Sequence, residues 1–273
     1  MDSLLPRTEP LGPHIPAKAA FSLGRSFLGA ATMASGVLQL VIGDFVRLVP
    51  KAPGAVPPRP LWAYLVGVVL VAIGAAILSG RMARAATAVL GVMLLVLVFL
   101  VYLPQIGAHP EIDRPWLRGF MWTNPLKSLA LFGGAALVFD WRHPRLQSLG
   151  AVLLAAFLIV CGIQHFVYRE FVTAMVPSWV PPGQRFWTYF TGVALMAGGV
   201  GLLVPVTARL AAASSAVMIF LWVLLLHIPL ALAGPKHAFE TAGIFEALAL
   251  SGVALLVAGT RDRAQGEGGA SPP

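Results

Sequence analysis

Between Trp62 and Pro104 the chain carries two charged side chains, Arg81 and Arg84, and both fall in one short turn. The runs on either side, "LVGVVLVAIGAAIL" and "AVLGVMLLVLVFLVYL", approach with their flanks the about 20 apolar residues that cross a bilayer. Lipid offers no partner to an open backbone amide, and neither run alternates polar with apolar residues as a barrel strand does. Spanning helices are the solution that remains. The rest of the chain agrees. Charged residues make up 11% of it, against about 25% in soluble domains, and mean hydropathy is +0.82.

Reading the whole chain this way predicts an all-α integral membrane protein. Eight spans are expected, at 26–43, 61–80, 84–103, 125–139, 146–168, 186–204, 208–231 and 240–259. The fourth has a strictly apolar core of only 14 residues after Lys127, so it must start earlier, tilt, or let Lys127 reach for the interface. Residues 1–25, with Pro6, Pro10, Pro13 and Pro16 and no signal-type apolar core, are expected to be a flexible cytoplasmic tail. Residues 261–273 are expected to be a disordered one.

A shift of 125 residues lays 62–104 on 187–229 with 17 of 43 positions identical and no gap. The matches include Trp62/Trp187, Tyr64/Tyr189, Arg84/Arg209 and Pro104/Pro229. "GVLQLVIGDF" (36–45) further aligns with "GIQHFVYREF" (162–171), and "KSLALFGGAALV" (127–138) with "EALALSGVALLV" (246–257). Two four-helix units follow, 26–140 and 141–260. An even number of spans gives both the same orientation, a parallel repeat.

Net charge is +8, but the basic residues stand singly between apolar runs, which argues against nucleic acid as a partner. Counting Lys and Arg by side gives ten against nine and decides nothing. The short turns "SGRMARA" and "PVTARLA" carry Arg and no acid, which favours cytoplasmic termini in a cytoplasmic (inner) membrane. Cys161, the one cysteine, excludes an internal disulfide and reads as a small core residue.

The run "GIQHFVYREFVTAMVPSWVPPGQRFWTYFTGVALMAGGVGLLVPVTARLAA", followed by "HIP" and "FEALALSGVALL", resembles the DoxX-like family of small four-span membrane proteins. The second half carries the resemblance throughout and the first half more weakly. The resemblance implies a tandem pair of four-helix bundles. Some relatives look like membrane subunits of sulfur-compound:quinone oxidoreductases, so it further implies a quinone and a membrane redox partner besides the lipid itself.

Polar residues inside spans are the functional candidates. In the second unit these are Gln164, His165, Tyr168, Arg169 and Glu170 at the end of the fifth span, with His165 and Arg169 four apart on one helical face. The first copy keeps an acid, Asp44, but has Leu38, Gln39, Ile42 and Gly43 at the other four places. His165 is either a ligand or proton-transfer group or a residue hydrogen-bonded near the headgroups. His227 ends the seventh span on the same side, and a His pair with no third ligand is weak evidence for haem b or a metal. Glu246 and Lys127 occupy equivalent places in the repeat. They are expected either to form an intramembrane charge pair, to line a polar cavity, or to reach for the rim. Trp179, in the loop "VPSWVPPGQRFW", reads as an interfacial anchor or a cap over helices five to eight. Three functions stay open: a redox or quinone-linked accessory subunit, a carrier for a small or lipophilic solute, and a non-catalytic scaffold.

Overall fold

The computed structural model describes residues 16–45, 59–108, 121–234 and 238–267. The described residues are helical or in turns, with no strand. Helices α1 (Ala17–Ile42) and α2 (Arg59–Ser79) come first. Helix α3 runs from Ala83–Val96 through a π-helical stretch, Leu97–Tyr102, into Leu103–Ala108. Then follow α4 (Thr123–Phe139), α5 (Pro144–Val167), the short α6 (Arg169–Met175) and α7 (Gln184–Leu203). Helix α8 joins Ala208–Trp222, a π-helical stretch Val223–His227, and Ile228–Ala233; α9 is Ala238–Glu267.

Seven of these are long and apolar enough to cross a membrane, against the eight expected. The exception is α4. Its 17 residues fall short of the about 20 a span needs, for the reason visible in the sequence: Lys127 interrupts its apolar stretch. Two other boundaries move. Residues 17–25, assigned above to the tail, belong to α1, which starts directly after Pro16 with the strong helix formers Ala17, Lys18, Ala19 and Ala20. Residues 261–267, also assigned to a tail, continue α9. Residues 1–15 and 268–273 lie outside the described residues, as do Arg47, Lys51, Glu111, Asp113, Arg114, Arg118 and Lys236 from the loops used to judge orientation.

The helices pack in a closed cycle: α1 against α2, α2 against α3, α3 against α4, α4 against α5, α5 against α7, α7 against α8, α8 against α9, and α9 back on α1. Helix α9 is the inner element, touching α4 and α5 as well. Of its apolar window 72% is buried within the protein, where the other six long apolar helices bury 22–39% of theirs. Glycines make the closest approaches, as expected where backbones must touch to gain dispersion contact in lipid. A Cβ on Gly24 would stand 2.6 Å from the Gly252 carbonyl oxygen, locking the start of α1 to α9. One on Gly162 would stand 2.7 Å from the Gly192 oxygen, between α5 and α7, and one on Gly36 2.7 Å from the Gly67 oxygen, between α1 and α2.

Helix α1 ends at Gly43, whose φ of 69° is left-handed and whose N–H donates to the Gln39 carbonyl. Helix α5 ends differently. Tyr168 leaves helical geometry at φ −107° and ψ 35°, and the chain restarts as α6 at Arg169. His165 and Arg169 therefore do not share a helix face, because the helix that would have carried both stops between them.

Candidate functional site

Lys127 sits one turn into α4 and Glu246 about two turns into α9, the two helices that meet across the middle of the cycle. Lys127 Nζ donates to Glu246 Oε2 at 2.7 Å, with side-chain exposures of 8% and 18%. Two charges this far from solvent persist only when they neutralise each other, since each alone carries a desolvation cost of several kcal/mol.

The pair forms a wall of a cavity of about 520 Å³. The cavity lies where α3, α5 and α8 finish and α4 and α9 begin, and His165, Trp222, His227, Tyr102, Cys161 and Thr123 also line it. Its remaining surface is largely apolar, with Phe157, Leu158, Leu195, Ile219 and Leu250 forming the floor and sides. A mostly apolar chamber with a few convergent polar groups is the ordinary form of a small-molecule site.

His165 is fixed in two ways. Its Nδ1 lies 2.7 Å from the Cys161 carbonyl oxygen, which can only accept, so Nδ1 carries the hydrogen and Nε2 of the neutral ring is left as an acceptor. The ring also stacks on Trp222, with centroids 6.1 Å apart and planes inclined by 27°. Gln164 is not itself part of the lining: its Oε1 accepts from the lining residue Thr123 Oγ1 at 2.9 Å and ties the end of α5 to the start of α4.

Of the residues expected from the sequence, His165, His227, Glu246 and Lys127 come together around one chamber. Tyr168 stands at the break after α5, outside the lining. Arg169 and Glu170, on α6, are 4.0 Å apart with side chains 62% and 93% exposed. Trp179 is exposed in the loop before α7 and is not among the residues that line the cavity. Among the described residues no three of His, Cys, Asp and Glu gather closely enough to hold a metal ion.

Trp222 and Thr123 are cavity residues that the sequence did not single out, and Cys161, which packs against the core as expected, also lines the cavity. Tyr102 carried a usable signal, since it is the residue that aligns with His227. Trp222 carried none, because an aromatic in an apolar run looks the same whether it faces lipid or a chamber.

A second, smaller cavity of about 110 Å³ lies on the other side of the ion pair. Thr32, Ser35, Gln39 and Ser128 line it together with Lys127 and Glu246, and the rest of the lining is apolar, with Leu28, Leu70, Leu94 and Phe245 among it. Gln39, buried, donates from Nε2 to the Ala63 carbonyl at 2.7 Å and bridges α1 to α2.

Residues 154–258 match the family model described as Domain of unknown function (DUF8561). That stretch carries His165, Trp222, His227 and Glu246, while Lys127 and Tyr102 are contributed from outside it. No curated protein and no solved structure matches the chain.

Proposed function

We propose that this chain is a membrane-embedded binding protein for a quinone-class ring, acting as the accessory subunit of a membrane redox system, and that it is built from two fused four-helix units of the DoxX-like type. The observation that carries the reading is the large cavity. Its apolar walls suit a lipophilic ring, Trp222 and His165 offer stacked faces, and His165 Nε2 and the Lys127–Glu246 pair supply polar groups for ring oxygens.

Support for the repeat comes from packing that pairs up half by half. The contact of α1 with α2 through Gly36 and Gly67 has its counterpart in α5 with α7 through Gly162 and Gly192. The π-helical stretches of α3 and α8 fall at aligned positions, and the aligned residues Lys127 and Glu246 pair with each other. In this reading α4 is an eighth span, short because its one charge is neutralised in place. Both termini lie on the cytoplasmic side of the inner membrane, following the Arg-bearing short turns.

Titration of the purified protein with decylubiquinone tests the ligand. Saturable quenching of tryptophan fluorescence is expected, with the saturable part lost in Trp222→Phe and the apparent affinity weakened roughly tenfold in His165→Ala, the scale of one hydrogen bond. Linear, unsaturating quenching that is the same in all three proteins counts against a quinone.

A carrier for a small lipophilic solute is the second reading, favoured by the presence of a cavity on each side of the same ion pair. It predicts protein-dependent uptake into proteoliposomes that Glu246→Gln abolishes.

A further inference from the structure

The small cavity poses a question that the large one does not answer. Lys127 carries three ammonium hydrogens, and among the described residues the acceptor it reaches is Glu246. Two of its N–H groups are thus left over on a residue 6% exposed. Beside it, Ser128 is 1% exposed, and neither its Oγ nor the hydroxyl of the neighbouring Tyr102 has a hydrogen-bond partner among the described residues. Buried donors in this condition are rare because each forfeits its hydration with nothing in return. Both Lys127 and Ser128 line the small cavity, and facing them across it are the side chains of Thr32, Ser35 and Gln39. Thr32 already donates to the Leu28 carbonyl at 2.7 Å, which leaves its oxygen as an acceptor, and Gln39, with one amide hydrogen given to Ala63, keeps its second hydrogen and its carbonyl oxygen.

We propose that the small cavity is a water site: a cluster of roughly three waters, at ~30 Å³ each, that accepts the spare Lys127 hydrogens and completes Ser128. Leftover ammonium donors on one side and hydroxyl and amide oxygens on the other are what a water, donor and acceptor at once, can satisfy together. An apolar ligand would satisfy none of them. An anion is disfavoured because the charge of Lys127 is already met by Glu246 at 2.7 Å. The ion pair is then a hydrated layer between two chambers, solvated through Lys127 on the side of the first half and facing the ligand chamber on the other. The inference does not depend on which ligand the large cavity takes.

Ser128→Ala discriminates, because it can only shrink the side chain. If the hydroxyl is bonded to water, its loss lowers the melting temperature by about 2–4 °C, the shift for one hydrogen bond in a protein of this size. If the cavity is dry, the substitution deletes an unsatisfied group and the melting temperature stays level or rises, which overturns the proposal. A high-resolution density map of the wild-type protein in lipid nanodiscs gives an independent reading. Ordered waters within hydrogen-bond distance of Lys127 Nζ and Ser128 Oγ are expected. An empty cavity, or a direct Ser128–Tyr102 hydrogen bond in its place, sinks the idea.

Discussion

Lys127→Ala lowers the stability of the folded protein by about 3–5 kcal/mol, because it removes the cation that neutralises the Glu246 carboxylate in mostly apolar surroundings. The side-chain exposures of 8% and 18% leave little solvent screening to soften the loss. In a protein of this size the melting temperature falls by on the order of 10 °C, which differential scanning fluorimetry in detergent or nanodiscs measures. Glu246→Ala is expected to cost a similar amount, because it leaves the Lys127 ammonium without its carboxylate. The double variant Lys127→Leu/Glu246→Leu recovers most of the stability, since a buried pair replaced by apolar residues of similar volume leaves no charge to desolvate. Single-variant losses below about 1 kcal/mol would mean that the pair is solvated by bulk water, and that α4 and α9 do not enclose it as described.

The pair was legible in the sequence for a specific reason. Alignment of the two halves put a lone Lys and a lone Glu at matching places in apolar helices, and two such costs suggest a mutual remedy. Seven spans were legible from hydropathy alone. The central place of α9 was not, because its composition resembles that of helices facing lipid and burial is decided by packing order. The start of α1 lies outside the apolar stretch that hydropathy marks: its first residues, Ala17 to Ala20, are helix formers, and they rest on α9, where a Cβ on Gly259 would stand 2.8 Å from the Ala17 carbonyl oxygen. Periodicity misled at the end of the fifth span. Counting by four carried His165 on to Arg169, but the chain leaves the helix at Tyr168 and sends Arg169 and Glu170 outward. In the first half, Asp44, aligned with Glu170, is held instead by an ion pair with Arg59. The polar ends of the two copies thus serve different local needs, and their charged residues gave less guidance to the cavity than His165 did.

A matched pair of glycine substitutions separates the role of packing from that of the site. A Cβ on Gly192 would stand 2.8 Å from Phe166 Cε2, 2.9 Å from His165 Cβ and 3.3 Å from the Gly162 carbonyl oxygen. A Cβ on Gly67, its counterpart, would meet Leu40 at 2.9 Å and the Gly36 oxygen at 3.2 Å. Gly192→Ala and Gly67→Ala therefore press apart equivalent helix pairs, and each is expected to cost about 1–3 kcal/mol of overpacking. Alanine's better helix propensity offsets about 1 kcal/mol of that. Their consequences for the large cavity differ. Gly67→Ala pushes on a leucine that lines neither cavity, whereas Gly192→Ala pushes on the histidine whose ring is set by Cys161 and Trp222. Decylubiquinone titration should therefore find wild-type affinity in Gly67→Ala and a loss of roughly tenfold, about 1.4 kcal/mol, in Gly192→Ala. Equal loss in both variants would mean that binding follows the general tightness of the bundle. Loss confined to Gly192→Ala ties it to the position of one imidazole, because the two substitutions share helix geometry and differ in the side chain that must give way.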